Sequence, residues 1–238
     1  MNTKSNKKRI VWILFLFVIV ITIFVLSNRI PIAIVKGKFY SIIDTELHFS
    51  GSDGEFTEKD EVALSRLWWA ESIYMLDTKI NNIDFLSEMP NLNHLNICEY
   101  HIEDWSPLAQ CHNLESIHAV NIDVSDLSPF KSLENLKYLN ISFDSDILEC
   151  SKLTDISDVK YLTELETLWL CGNDISDISA LESCVKLQEL TLQGITADDY
   201  SVLLKLPNLR FLVMDTSLVN EEILNSLIER EVEIYGFD

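Results

Sequence analysis

Residues Leu165 to Leu187 read LETLWLCGNDISDISALESCVKL. The apolar residues fall at Leu165, Leu168, Leu170, Ile175, Ile178, Leu181 and Cys184, and Leu187 begins the same pattern again, 22 residues on. A fixed period of that length marks a solenoid, because one unit has too little apolar surface to close a core and must bury it against its neighbours. Extended in both directions, with Leu165 at position one, the pattern places unit starts at Ala70, Leu92, Leu114, Leu136, Leu165, Leu187 and Leu209. Every step is 22 residues except that from Leu136 to Leu165, which is 29. Positions four and six hold Ile73 and Met75, Leu95 and Ile97, Ile117 and Ala119, Leu139 and Ile141, Leu168 and Leu170, Leu190 and Leu192, Leu212 and Met214. Position fourteen holds Ile83, Trp105, Leu127, Ile156 and Ile178. Apolar side chains of this size contribute roughly 1.5–3 kcal/mol each when buried, so stacking rather than any single unit carries the stability.

This spacing resembles bacterial leucine-rich repeat proteins of the short, internalin-like kind, in which NxIxDIxxL follows the strand. Asn173, Ile175, Asp177, Ile178 and Leu181 match that pattern. The resemblance implies an α/β leucine-rich repeat solenoid, a right-handed superhelix with short parallel strands on its concave face and turns or 3-10 segments on its convex face. It also implies a binding surface, without naming a ligand. The match departs from the family at position nine, usually asparagine, which here reads Thr78, Tyr100, Ile122, Asp144, Asn173, Ile195 and Ser217. A continuous asparagine ladder at that position is therefore absent, and neighbouring turns must satisfy their backbone groups by other means. The connecting runs IDFLSEM, EDWSPLA, SDLSPF, TDISDV and SDISAL are too short for long helices and predict tight or single helical turns.

Ahead of the repeats, Ile10 to Leu26 form 17 uncharged, strongly apolar residues, at the short limit for a membrane-spanning helix. Lys4, Lys7, Lys8 and Arg9 precede them and predict a cytoplasmic amino terminus, so residues 1–9 read as a basic tail and 10–26 as a transmembrane signal anchor with the repeats outside. Cleavage as a signal peptide, releasing a secreted protein, is the alternative. Residues 27–47 read as a juxtamembrane connector, with a short strand against the first repeat around Ile34 and Val35. Residues 48–69 read as an amino-terminal cap: Phe49 to Gly54 as a loop, then a helix capped by Thr57 whose apolar face is Val62, Leu64, Leu67, Trp68 and Trp69. The seven repeats with a carboxy-terminal capping helix, EEILNSLIER, take residues 70–231, and 232–238 form a final strand.

Charge is unevenly spread. Residues 1–38 carry seven basic side chains and no acid, leaving 11 basic against all 38 acidic residues and a net of −27 for the remainder. Such a surface repels nucleic acid and keeps a solenoid soluble. Five cysteines with no CxxC pair give no metal-finger spacing. Cys111 and Cys184 occupy the last apolar position of their units and read as core residues, Cys98 and Cys171 sit three repeats apart, and Cys150 stays open.

Side chains alternate along strands, so positions three, five and seven face away from the core. They are nearly uncharged, and their Tyr, Trp, Phe, His and Asn content suits a protein or peptide interface. The predicted recognition face comprises Tyr74, His94, Asn96, His118, Tyr138, Asn140, Trp169 and Phe211. The bland alternative is that sheets simply favour aromatic side chains. The long fourth unit adds SFDSDILECSK, in which Phe143 and Leu148 either project as anchors or fold back over the core. No HExxH, phosphate-loop or GxSxG motif occurs, so no enzyme, cofactor or metal is predicted. Three readings follow: a membrane-tethered protein- or peptide-binding module, a structural envelope protein without a dedicated ligand, or carbohydrate recognition by the aromatic face.

Overall fold

The computed structural model describes residues 33–76, 80, 82–98, 102, 104–143 and 153–236. The apolar residues from Ile83 onward recur not only every 22 positions but every third one inside each turn. In the reference unit Ile178, Leu181, Cys184 and Leu187 are all buried. A 3-10 helix has 3.0 residues per turn and eclipses side chains at i and i+3, so this spacing aligns all four along one inward line. The backbone follows: Leu181 N donates to Ile178 O (3.1 Å), Cys184 N to Leu181 O (2.8 Å) and Leu187 N to Cys184 O (3.0 Å). Equivalent 3-10 segments span Asp84–Glu88, Ser106–Gln110, Ser128–Phe130, Ser157–Tyr161 and Ser201–Lys205, beside Ser179–Ser183 itself. These are the single turns the short connecting runs predicted.

Opposite the turns lies a nine-stranded parallel sheet in strict sequence order. Its repeat strands are β4 (Ser72–Leu76), β5 (His94–Cys98), β6 (Ser116–His118), β7 (Tyr138–Asn140), β8 (Thr167–Trp169), β9 (Glu189–Thr191) and β10 (Phe211–Met214). Positions one, four and six of all seven units are buried, and their side chains make one continuous core with the turn residues. Ahead of β4 stands a strand the sequence reading took for connector and loop, β3 (Glu46–Ser50). It alternates exposed and buried residues, with Leu47 and Phe49 buried, and pairs with β4 in the register of the repeats. At the other end β11 (Glu233–Gly236) extends β10 in parallel.

The amino-terminal end carries two further corrections. Ala33–Val35 (β1) does not join the main sheet but pairs antiparallel with Lys38–Tyr40 (β2). Lys36 and Gly37 turn the hairpin with φ of 51° and 75°, the left-handed values a two-residue hairpin loop requires. Helix α1 (Glu58–Leu64) begins as predicted at Thr57, whose hydroxyl accepts from Asp60 N (3.4 Å) while Asp60 Oδ2 accepts from Thr57 N (2.9 Å). Leu64, Leu67 and Trp69 are buried, but Val62 and Trp68 stand in solvent because the helix ends at Leu64 and offers one short inward stripe. Helix α2 (Glu221–Glu229) covers the far end with Ile223 and Leu227, and Asn220 caps it through a bond from Ile223 N (2.8 Å). Among the described residues no helix is long and apolar enough to cross a membrane. The expected anchor at 10–26 lies outside the described residues, as do Leu148 and Cys150.

The missing position-nine ladder is replaced elsewhere. Asn91, Asn113, Asn135 and Asn208, each one residue before a unit start, donate from Nδ2 to Trp68 O (3.0 Å), Pro90 O (2.7 Å), His112 O (2.9 Å) and Val185 O (2.7 Å). Each thus ties its unit to the one before. Where Glu164 and Lys186 take that place, they pair with each other at 2.5 Å.

Candidate binding face

Strand register aligns the outward residues into rows. Position five forms an unbroken line, His48–Tyr74–Asn96–His118–Asn140–Trp169–Thr191–Val213–Tyr235, across all nine strands. None of these residues carries a fixed charge, in a chain of net charge −20. Position three runs beside it from Glu46 through Ser72, His94, Ser116, Tyr138, Thr167, Glu189 and Phe211 to Glu233, so its acids stand towards the two ends. The structure therefore brings Tyr74, His94, Asn96, His118, Tyr138, Asn140, Trp169 and Phe211 to one side of the sheet.

Within it the side chains organise one another. His48 stacks on Tyr74 with ring centroids 4.5 Å apart and planes 3° from parallel. Tyr138 meets Trp169 edge-on at 5.6 Å and 65°, and Phe211 lies 5.0 Å from Tyr235. Asn140 Nδ2 sits 3.2 Å from His118 Nδ1. Burial lowers the His118 pKa from its ordinary value, so the ring is neutral at pH 7. Nδ1 then accepts from the amide and Nε2 carries the proton. Burial likewise raises the Tyr138 pKa, keeping its hydroxyl protonated. Trp169 Nε1 is shielded from water, and among the described residues no acceptor reaches it. Cys98 Sγ and Cys171 Sγ lie at the edge, 3.4 Å from Asn96 Oδ1 and 3.2 Å from Thr191 Oγ1.

Two expected contact residues do not face a partner. Asn140 is 3% exposed: its Oδ1 accepts from Ser142 N (2.9 Å) and its amide is used on His118, so it braces the face from beneath. Phe143 is 8% exposed and folds back, its backbone N donating to Cys171 O (2.7 Å). His48 and Tyr235 are the residues sequence reasoning left out of the row. The alternation of Leu47, His48 and Phe49 was the available signal, hidden because β3 precedes the first unit of the 22-residue period.

The insertion is clamped at its base by one side chain. Asn173 Nδ2 donates to Ile141 O (2.7 Å) and Leu170 O (3.0 Å), and its Oδ1 accepts from Leu153 N (3.0 Å). Ile141 and Leu153 are the two ends of the lengthened turn, so the one position-nine asparagine stands beside the one insertion. Gly172, just before it at φ +74°, leaves space for the carbonyl of Phe143, which an added Cβ would meet at 2.0 Å.

A family model described as Leucine Rich repeats (2 copies) matches residues 163–203, which contain the stretch that sets the period. The fold is a leucine-rich repeat solenoid. Similar solved structures include an internalin of Listeria monocytogenes, 20% identical over 84% of this chain and 70% of that one, with a TM-score of 0.63. Internalin C2 of the same organism is 20% identical over 75% of this chain and 85% of its own, with a TM-score of 0.56. A leucine-rich repeat protein of Leptospira interrogans is 16% identical over 73% of this chain and 50% of its own, with a TM-score of 0.57. No curated protein matches the chain in sequence.

Proposed function

We propose that this leucine-rich repeat protein is a non-enzymatic binding module, tethered to the membrane by residues 10–26 with its repeats outside the cytoplasm, which recognises a protein or peptide on the concave face of its sheet. The observation that carries the reading is the position-five row: nine strands long and free of fixed charge within a strongly acidic molecule. Aromatic surface leaves water favourably and an amide that keeps a hydrogen bond costs far less to bury than a charge, and charge depletion at the centre with a polar rim is how protein interfaces are built. Tethering rests on the apolar run from Ile10 to Leu26 and the four basic residues before it.

The test is capture of partners by the full chain after mild cross-linking, comparing wild type with a variant carrying His118→Ala, Tyr138→Ala and Trp169→Ala. All three side chains are half-buried on the sheet surface, so the variant keeps the buried core positions. A central aromatic cluster typically contributes about 2 kcal/mol or more per hot-spot residue, so capture should fall by at least roughly 30-fold. Undiminished capture with native circular dichroism sinks the proposal.

A further inference from the structure

The amino-terminal hairpin has an outer face that the solenoid does not use. Its inner residues Ala33, Val35 and Tyr40 are buried in the core cluster, and β1 packs on helix α1. The opposite face carries Ile34 and Phe39, which pair directly across the two strands and are 53% and 66% exposed. Ile42 and Ile43 follow in the next turn, at 39% and 68%. Four large apolar side chains within ten residues are thus left in solvent, whereas the other exposed large apolar residues, such as Val62, Tyr161, Val185 and Ile228, are spread along the rest of the described chain.

The two lysines of the hairpin do not dilute this face, because both reach back to the cap. Lys36 Nζ lies 3.6 Å from Asp60 Oδ2, donates to Glu55 O and sits 5.0 Å over the Phe56 ring. Lys38 Nζ bonds Asp53 Oδ2 at 2.8 Å. Lys36 N also donates to Asp60 Oδ1 at 3.0 Å. The hairpin is therefore fixed to the first turns of the solenoid, and its orientation is that of the whole domain.

We propose that this outer face, Ile34 and Phe39, together with the exposed turn residue Ile43, docks into the interfacial layer of the lipid bilayer that holds residues 10–26. The inference rests on the membrane-anchor reading above. Only six residues separate Leu26 from Ala33, so the hairpin stays within about 25 Å of the end of the apolar run, at no more than ~3.6 Å per residue. A short tether gives a high local concentration of surface, and a small apolar patch then suffices to bind. Charge points the same way. Residues 1–43 contain no Asp or Glu, whereas every one of the 38 acids lies beyond them. The acidic repeats are repelled from an anionic surface and from a second copy of themselves, while the hairpin strands carry no acid and the nearby Asp53 and Asp60 are paired with Lys38 and Lys36. Docking would fix how the sheet face is presented above the membrane rather than leave the solenoid swinging on a linker.

The test uses the full chain reconstituted in vesicles of equal parts phosphatidylcholine and phosphatidylglycerol. Benzoylphenylalanine is placed at Phe39 in one sample and at Tyr161, an exposed turn residue, in the other. After irradiation, lipid adducts at position 39 should exceed those at 161 several-fold, and Ile34→Glu should lower them several-fold. Carbonate washing reads the anchor separately. If the chain resists carbonate but position 39 gives no more lipid adduct than 161, or cross-links chiefly to a second copy, docking is overturned while the anchor stands. If carbonate extracts the chain, the anchor reading fails and the proposal with it.

Discussion

Single residues decide where this solenoid departs from regularity. Position eight of several units turns the chain out of its strand with positive φ, filled by Asn121 (56°), Gly172 (74°) and Gly194 (74°). Most side chains other than asparagine and aspartate adopt that region only at a cost of about 1 kcal/mol. The two glycines are nevertheless unequal. An added Cβ at Gly194 meets only the Gly172 backbone, at 3.5 Å, whereas at Gly172 it meets Phe143 O at 2.0 Å. Gly194→Ala should therefore destabilise by about 1 kcal/mol, and Gly172→Ala by roughly 2–4 kcal/mol because overpacking adds to the conformational strain. Thermal unfolding of the two variants checks this, with the Gly172→Ala midpoint expected to fall by several degrees more. Equal losses would mean that the carbonyl of Phe143 moves aside freely. Asn173 belongs to the same story. A sequence reading sees it as a lone survivor of a ladder; the structure shows it joining Ile141 and Leu153 across the insertion, contacts separated by 32 and 20 residues that no local pattern records.

At the scale of the element, the recurring unit is a capped 3-10 turn. Asp104, Asp126, Asp155, Asp177 and Asp199 each accept from the backbone N of the serine two residues on, at 2.7–2.8 Å. Asn82 does the same for Asp84 N in the first turn. Five of the 38 acids thus serve turn chemistry, which net charge alone does not reveal. Hydrogen bonds from the serine hydroxyl and backbone hold the carboxyls of Asp104, Asp126 and Asp177 below their ordinary value of 3.8, and the backbone and hydroxyl of Ser201 do so for Asp199. A carboxylate with a depressed folded pKa stabilises the fold above its unfolded pKa and loses that contribution as pH falls through the folded value. A variant with Asn at all four positions keeps the cap acceptor, as Asn82 does, but cannot titrate. Urea midpoints at about pH 6 should favour the wild type, and the gap should close as pH drops from about 4 downward. A gap that stays constant across that range would show that the caps act through shape alone.

The whole molecule was largely legible because its period is carried by buried leucines, and burial does not depend on the identity of the exposed residues between them. The starts of all seven units, the inward positions and the alignment of the outward rows all follow from that count. The ends were less legible, since β3 and the β1–β2 hairpin lie outside the period and only short alternations mark them. At this scale charge also acts collectively. Beyond residue 38 the chain sets 11 basic residues against 38 acids, a net −27, and the exposed inter-repeat pairs Lys137–Glu115, Lys186–Glu164 and Lys205–Glu182 engage only three of those acids. Solvent-exposed pairs of this kind contribute about 0.2–1 kcal/mol each and are screened by salt. Self-repulsion among many carboxylates is screened too, over a Debye length that shortens from about 30 Å at 0.01 M to about 3 Å at 1 M. The repulsion sums over every repeat in one direction, whereas the inter-repeat ion pairs named above are three among the described residues, so repulsion should win. Raising sodium chloride from about 0.01 M to about 0.5 M should therefore raise the melting temperature by several degrees. A fall over the same range would mean that the ion pairs between neighbouring repeats outweigh the repulsion, and that the acidic surface is better compensated than its net charge implies.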